Sequence, residues 1–218
     1  MKGSMMDYQL TLSSIVKRAE ALFGAKEIIT RLPDRSFHRY TYTDFTRRAK
    51  KLAVALAKLG VRPGDRVATF CWSHHQHLEA YFGVPMMGAV LHTLNLRLHP
   101  DDLTYIVNHA EDRVLLVDKV LLPLFARFQD RIKVEHVVVI DEAGEAPEGT
   151  LSYEVLLDDA DENAFQAPDL DENDAAAMCY TSGTTGRPKG VLYSHRAIVL
   201  HSLASAMAGS LAIQESDV

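Results

Sequence analysis

An α/β fold, in which helices flank a mostly parallel sheet, is the class that the sequence predicts. Short apolar runs of strand length alternate with segments whose apolar residues recur at helical spacing. The run from Val134 to Ile140 is almost unbroken in β-branched residues, as expected of a strand buried on both faces. Strands separated by helices in this way are typical of a parallel sheet. With 47% hydrophobic residues, the 218-residue chain can form a sizeable core.

The first sixty residues predict a helix, a hairpin and a second helix. Apolar residues recur at helical spacing before Gly24, and Pro33 with Asp34 supplies a turn between two strands. Thr43 is the expected N-cap of the second helix, which Gly60 ends. The predicted bounds are Leu12–Phe23, Glu27–Leu32, Phe37–Tyr42 and Thr43–Leu59.

Strands and helices then alternate as far as Ile140. Pro100 suits the first turn of a helix, because a backbone N–H at that position has no partner within the helix. The predicted strands are Val67–Trp72, Ala89–Leu94, Val114–Val117 and Val134–Ile140. The predicted helices are Gln76–Met87, Pro100–Ala110 and Leu121–Gln129.

Charge divides the chain into three parts. Residues 1–140 hold 20 Lys and Arg against 14 Asp and Glu, whereas residues 141–174 hold 13 acidic residues and no Lys or Arg. We interpret the acidic stretch as a solvated connection, with a loop over Glu142–Thr150 and a short helix over Ser152–Leu157. The predicted division is a first α/β part over 8–141, a connection over 142–174 and a final segment over 175–218.

The final segment contains a polar loop, Tyr180-Thr-Ser-Gly-Thr-Thr-Gly-Arg-Pro-Lys-Gly190, between two apolar strands. Gly183 and Gly186 permit positive φ, so several backbone N–H groups can converge on one anion. The loop hydroxyls can bond phosphate oxygens or a hard cation such as Mg²⁺, and Lys189 adds a compact positive charge. These features predict a polyphosphate site; the alternative is a Ser/Thr/Gly linker without a ligand. A helix from about Arg196 to Ala212 follows the second strand.

The loop differs from the common P-loop, because Arg187 and Pro188 separate Gly186 from Lys189. It resembles the phosphate-binding motif of the acyl-adenylate-forming (AMP-binding) enzymes, which include acyl-CoA synthetases, firefly-type luciferases and peptide-synthetase adenylation domains. The stretches Gly88–Asn95 and Tyr193–Ala197 resemble those of bacterial medium- and long-chain fatty-acyl-CoA synthetases. The likeness runs from Leu12 to Val218.

The resemblance implies a fatty-acid–CoA ligase that uses ATP, Mg²⁺, a fatty acid and coenzyme A. A fatty acid would become an acyl-adenylate and then acyl-CoA, with release of pyrophosphate and AMP. The resemblance makes Thr184 the Mg²⁺ ligand and gives Lys189 the task of steadying the phosphates, while Arg187 points to solvent. The residues implied around the β- and γ-phosphates are Thr181, Ser182, Gly183, Thr185 and Gly186.

The resemblance also indicates that this chain is an incomplete N-terminal domain. The family's Gly-x-Thr-Glu segment, its ribose-binding aspartate and its C-terminal domain with a catalytic lysine are not in the sequence. We therefore assign no catalytic residue and expect the chain alone to be inactive. The alternatives are an aromatic acyl-CoA ligase, an amino-acid adenylation domain, or a non-catalytic dimerising fragment.

Composition and motifs point away from several other classes. No run approaches the ~18 consecutive apolar residues of a membrane span, and the N-terminus lacks a secretory signal pattern. No nucleic-acid-binding motif is present. Cys71 and Cys179 lie far apart in apolar surroundings and are interpreted as reduced core cysteines of a cytoplasmic protein. Family resemblance implies a homodimer.

Histidines and aromatic residues give further expectations. His74, His75 and His77 are interpreted as surface residues at a helix start, in preference to a metal site. A structural role, under the loop or bonded to backbone, is favoured for His195 over catalysis. The residues expected in the core are Trp72, Tyr81 and Phe82.

Overall fold

A computed structural model describes residues 4–5, 7–32, 34–181, 186–214 and 217. The helices are α1 Leu12–Phe23, α2 Tyr42–Lys58, α3 His75–Met86, α4 Pro100–Ala110, α5 Leu122–Phe125, α6 Tyr153–Asp158 and α7 His195–Ala206. The strands are β1 Glu27–Arg31, β2 Phe37–Thr41, β3 Arg66–Phe70, β4 Val90–Thr93, β5 Asp112–Asp118, β6 His136–Ile140, β7 Leu151–Ser152, β8 Ala175–Thr181 and β9 Lys189–Ser194.

The main sheet of the described residues has the strand order β7-β6-β5-β3-β4-β8-β9. All of its neighbouring strands are parallel except β8 and β9, which form an antiparallel hairpin. A separate antiparallel hairpin joins β1 to β2. The predicted fold class, a mostly parallel sheet flanked by helices, is therefore confirmed.

Strand order reverses beside β3. The chain passes from β3 to β4 on one side, and then crosses back to β5 on the other side. Ligands of open α/β sheets bind in the crevice at the carboxyl ends of the strands, at such a switch point. The loop after β8 leaves the same edge of the sheet, because β8 is parallel to β4.

Apolar layers cover both faces of the sheet, so successive residues of one strand belong to different layers. Leu116 of β5 packs in a cluster with α2, α3 and α6, whereas Leu115 packs in a second cluster with α4 and α5. Both side chains are fully buried. This two-sided burial explains why the central strands are apolar throughout.

Three predicted boundaries were wrong. The last helix was expected to run to about Ala212, but α7 ends at Ala206 because Met207 is extended, with ψ 151°. Thr41, not Thr43, caps α2: Thr41 Oγ1 accepts from the Asp44 N–H, and the Asp44 carboxylate accepts from the Thr41 N–H. The Thr43 hydroxyl instead donates to the Gly24 carbonyl, at 3.1 Å. The predicted helix over Leu121–Gln129 is the single turn α5 between two 3₁₀ turns, since Phe128 leaves helical geometry, with φ −140°, and packs its ring against Phe70.

Helices α2 and α3 approach closely at Gly83. A Cβ added to Gly83 would lie 2.7 Å from the carbonyl oxygen of Ala49. Backbone cannot yield as a flexible side chain can, so only glycine fits this contact without a shift of one helix.

A polar network joins α2, α3 and α6 inside this layer. Arg48 donates through Nε to Glu79, at 2.7 Å, and through both terminal nitrogens to Glu154, at 2.9 Å each. The hydroxyl of the fully buried Tyr153 donates to the other oxygen of Glu79, at 2.7 Å. Burial raises the pKa of Glu79, and the charge of Arg48 opposes that rise.

Among the helices that the structure describes, none has both the length and the apolar character needed to cross a bilayer.

Candidate functional site

The hairpin of β8 and β9 places two of the predicted site residues opposite each other. Tyr180 pairs with Gly190 and Thr181 with Lys189, so Thr181 and Lys189 form the neck of the loop. Both neck residues are exposed. Gly186 is exposed too and has φ 135°, a conformation that side-chain-bearing residues rarely adopt. Ser182, Gly183, Thr184 and Thr185 lie outside the described residues.

Helix α4 contacts the hairpin on both sides of the loop. Before it, the Tyr180 hydroxyl lies 2.6 Å from Nδ1 of His109. After it, the Arg187 guanidinium lies over the ring of Tyr105, at 5.0 Å from the centroid. The expectation that Arg187 merely points to solvent was therefore wrong: the residue is exposed, but an aromatic face orients it.

A buried acid–imidazole pair lies beneath Tyr180. His92 Nδ1 is 2.8 and 2.9 Å from the two carboxylate oxygens of Asp112, and both side chains are fully buried. The His92 ring packs against Tyr180, with centroids 5.3 Å apart. Burial raises the pKa of Asp112, and the hydrogen bond from His92 opposes that rise. Sequence reasoning missed this pair; the signal was a single histidine within the apolar strand β4.

A second group of polar residues lines the crevice between β3 and β5. A cavity of about 270 Å³ opens there, beside Trp72, His74, Asp118 and Lys119. Asp118 accepts from the Trp72 backbone N–H and contacts His74 Nε2, at 2.7 Å each. His74 Nδ1 accepts from the His77 N–H, which caps α3. Asp118 therefore holds the turn between β3 and α3 to the end of β5.

Cys71, His74 and Asp118 bring potential metal ligands within 4.8 Å of one another. Their hydrogen bonds do not fit a metal ion. Because His74 Nδ1 accepts from backbone, the ring proton is on Nε2 and is donated to Asp118. Burial raises the pKa of the Cys71 thiol well above its ordinary value, so the sulfur is held neutral. An ion would displace both protons and uncap α3.

Two of the histidines expected at the surface are buried. His75 stacks on His38, with centroids 3.9 Å apart, and burial lowers the pKa of His75 to about 3. His77 lies between the Thr69 hydroxyl and the Trp72 carbonyl, and burial lowers its pKa to about 4. The polar first turn of α3 faces inward, where His77 contacts the Thr69 hydroxyl of β3 and His75 is held by stacking on His38 of β2.

The expectations for the aromatic residues around α3 were wrong at two positions. Trp72 is 56% exposed and Tyr81 is 44% exposed, whereas Phe82 is half-buried and packs against Phe45. Trp72 lies in the turn before α3, at the mouth of the crevice.

His195 has the structural role expected for it. The buried ring accepts the Leu12 N–H through Nδ1, at 3.3 Å, and burial lowers its pKa. Nearby, the Glu172 carboxylate accepts the Leu10 N–H, at 2.9 Å, and pairs with Arg196. These contacts fasten the segment before α1 to the start of the β8–β9 region.

Sequence comparison with known proteins finds relatives that match nearly the whole chain. The chain is 51% identical over 217 residues to a long-chain-fatty-acid–CoA ligase of Thermus thermophilus, and the match covers 99% of this chain and 39% of the relative. It is 42% identical over 222 residues to a medium-chain-fatty-acid–CoA ligase of Ectopseudomonas oleovorans, covering 100% of this chain and 40% of that relative. The chain thus spans about two fifths of the length of these relatives.

Solved structures share the fold. A long-chain-fatty-acid–CoA ligase from Archaeoglobus fulgidus matches 98% of this chain and 42% of its own, with a TM-score of 0.83 and 25% identity. An anthranilate–CoA ligase in complex with anthranoyl-AMP matches 96% of this chain and 39% of its own, with a TM-score of 0.80 and 28% identity. The family model described as "AMP-binding enzyme" matches residues 17–218. Its match to nearly the whole sequence shows that the chain belongs to the AMP-binding enzyme family.

Proposed function

We propose that this chain is the phosphate-binding N-terminal part of a fatty-acid–CoA ligase. One observation carries the proposal: Thr181 and Lys189 pair at the neck of a glycine- and hydroxyl-rich loop, at the sheet edge where α/β proteins bind ligands. Family membership supports nucleotide chemistry, and the identity of 51% to a long-chain-fatty-acid–CoA ligase supports a fatty acid as the acid.

The proposed reaction has two steps. A carboxylate oxygen of the fatty acid bonds to the α-phosphorus of ATP, and the bond from that phosphorus to the bridging oxygen of pyrophosphate breaks. The thiolate of coenzyme A then bonds to the acyl carbon, and AMP leaves. Such phosphoryl chemistry depends on positioning and on neutralising phosphate charge.

We assign the loop residues to the phosphates of ATP. Lys189 neutralises charge from the neck of the loop, opposite Thr181. The remaining residues assigned to the β- and γ-phosphates are Thr181, Ser182, Gly183, Thr185 and Gly186. Thr184 is the proposed ligand of Mg²⁺, a hard ion that binds oxygen and supplies positive charge to the phosphates. The exposed neck and the glycine-only backbone at Gly186 fit a loop that wraps an anion.

Fatty acids of medium or long chain are the proposed substrates. An aromatic acid is the alternative that one finding favours, since the similar anthranilate–CoA ligase was solved with anthranoyl-AMP. Incubating the complete gene product with MgATP, coenzyme A and each acid separates the two. Preferential AMP release with fatty acids supports the proposal, and preferential release with anthranilate or benzoate contradicts it.

Substitutions at the loop test the assignments. In the complete gene product, we expect Lys189→Ala and Thr184→Val each to slow acyl-adenylate formation by about 10²-fold or more, the scale of losing one transition-state donor. Thioester formation from preformed acyl-adenylate should change less, because pyrophosphate has already left. Arg18→Gln, at an exposed position of α1, is the matched control. Equal slowing of both half-reactions would count against the assignment.

Assembly, location and organisation are further parts of the proposal. We propose a homodimer, which the exposed apolar side chains of Leu192 and Leu203 support, and which light scattering tests. The free thiols of Cys71 and Cys179 support a cytoplasmic location. The division at 8–141, 142–174 and 175–218 is proposed on charge, and limited proteolysis within 142–174 tests it.

A further inference from the structure

Two side chains on one face of α4 contact the hairpin on either side of the phosphate loop. Tyr105 and His109 are one helical turn apart, with ring centroids separated by 5.1 Å. His109 contacts Tyr180, the residue before the neck, and Tyr105 contacts Arg187, which lies between Gly186 and the neck residue Lys189. One rigid helix therefore holds both ends of the loop.

Tyr180 is confined on its other sides as well. A Cβ added to Gly190 would lie 3.1 Å from Cζ of Tyr180, so the ring lies directly against the backbone of β9. The His92 ring packs on Tyr180, and Asp112 fixes His92 through two short contacts. Because the Tyr180 ring is packed on these sides, its hydroxyl has a fixed position beside His109.

The contact at Arg187 is of a different kind. Its guanidinium is exposed and charged, and the face of Tyr105 attracts it through the ring quadrupole. The attraction needs the aromatic ring and not its hydroxyl, so phenylalanine at position 105 should preserve it. The Tyr105–Arg187 contact depends on a ring and the His109–Tyr180 contact depends on a polar atom. Substitutions can therefore remove or retain one contact without affecting the other.

We propose that Tyr105 and His109 are positioning residues, which hold the described ends of the phosphate loop, Tyr180 and Arg187, in the arrangement that accepts a nucleotide polyphosphate. The identity of this ligand as MgATP rests on the proposed function. Groups that are held in place before a ligand arrives lose less conformational entropy on binding, so fixing Tyr180 and Arg187 in advance favours affinity. Helix α4 contributes affinity in this way without touching the ligand.

The experiment measures MgATP binding to the complete gene product by calorimetry, together with amide hydrogen exchange at Lys189 and Gly190. Tyr105→Ala and His109→Ala should each weaken binding by about twofold to fivefold, as expected for one exposed cation–π contact or one hydrogen bond. The same variants should exchange faster at these two amides. Tyr105→Phe keeps the ring and His109→Asn keeps a polar partner for the Tyr180 hydroxyl, so both should restore the two measurements, and Arg18→Gln should change neither.

The combined variant Tyr105→Ala with Arg187→Gln separates positioning from a general loss of stability. If the two residues act through one contact, the double variant binds no more weakly than Tyr105→Ala. Unchanged binding and unchanged exchange in Tyr105→Ala and His109→Ala would overturn the inference. If the parent gene product does not bind MgATP, the proposed function is wrong, and hydrogen exchange alone decides whether α4 holds the loop.

Discussion

Arg48 neutralises a carboxylate that has no access to solvent. Glu79 is fully buried, and Arg48 is its one cationic partner among the described residues. We expect Arg48→Met to lower the free energy of unfolding by about 3–5 kcal/mol, because breaking a buried pair leaves an uncompensated charge. Urea unfolding measures this loss. Arg47→Met, which removes an exposed pair with Asp44 on the same helix, should cost about 1 kcal/mol or less.

The same variant should show a characteristic pH dependence. Burial raises the pKa of Glu79 above its ordinary value of 4.5, and removing Arg48 removes the main opposing charge. A carboxyl whose pKa is raised by folding favours the folded state below its ordinary pKa, and that contribution disappears as the pH rises through the folded pKa. The loss caused by Arg48→Met should therefore grow as the pH rises through the raised pKa that Glu79 has in the parent fold. A loss that is constant with pH would show that packing, not charge, dominates.

His75 should make the fold sensitive to acid. Its pKa is lowered by burial from 6.5 to about 3, so the neutral ring favours the folded state above pH 6.5 and this contribution is lost as the pH falls. One such histidine costs about 1.4 kcal/mol for each pH unit below its ordinary pKa. His75→Phe keeps a ring to stack on His38, so its unfolding free energy should decline less steeply with acid. His201→Gln, at an exposed position of α7, should leave the slope unchanged.

At the scale of elements, the strands could be predicted and the inward face of α3 could not. Apolar runs such as β6 have one stable location, the interior of a covered sheet. His75, His77 and Glu79 look like surface residues, because their partners lie on β2, β3, α2 and α6, far away along the sequence. Burial of a polar side chain depends on partners that periodicity does not reveal.

The candidate site also has a part that the sequence predicts and a part that it does not. Pairing of Thr181 with Lys189 follows from a loop between two strands, which is local information. The contacts of Tyr105, His109 and His92 with the hairpin join residues more than seventy positions apart, so no spacing in the sequence indicates them.

The close approach of α2 and α3 yields a prediction about packing. Gly83→Ala should lower the free energy of unfolding by about 1–3 kcal/mol, since the new methyl group meets the Ala49 carbonyl and forces the helices apart. Thermal or urea unfolding measures the change. The matched control is Gly209→Ala, because a Cβ there meets no atom within 4 Å. Equal stability of the two variants would show that the helices separate without cost.

At the scale of the whole molecule, Glu172 connects the segment before α1 to α7. Its carboxylate accepts the Leu10 N–H and pairs with Arg196 of α7, while its own N–H donates to the Gln9 side chain. We expect Glu172→Ala to free the segment before α1, with faster hydrogen exchange at Leu10 and unchanged exchange in β5. Glu145→Ala, which removes an exposed partner of Lys119, is the control. Unchanged exchange at Leu10 would show that packing of α1 is sufficient to hold the segment.

The contact between Leu10 and Glu172 also sets an order of events during synthesis. The two residues are 162 positions apart, which a ribosome working at 5–20 residues per second takes roughly 10–30 s to cover. Strands β3 to β6 are synthesised before Glu172, so they can pair before the segment that contains Leu10 has its hydrogen-bond partner. Glu172 precedes β8 by three residues. The Leu10–Glu172 hydrogen bond and the pairing of β8 with β4 therefore become possible at nearly the same time. A newborn chain therefore gains the β8–β9 hairpin and the attachment of its N-terminal segment at nearly the same stage of synthesis.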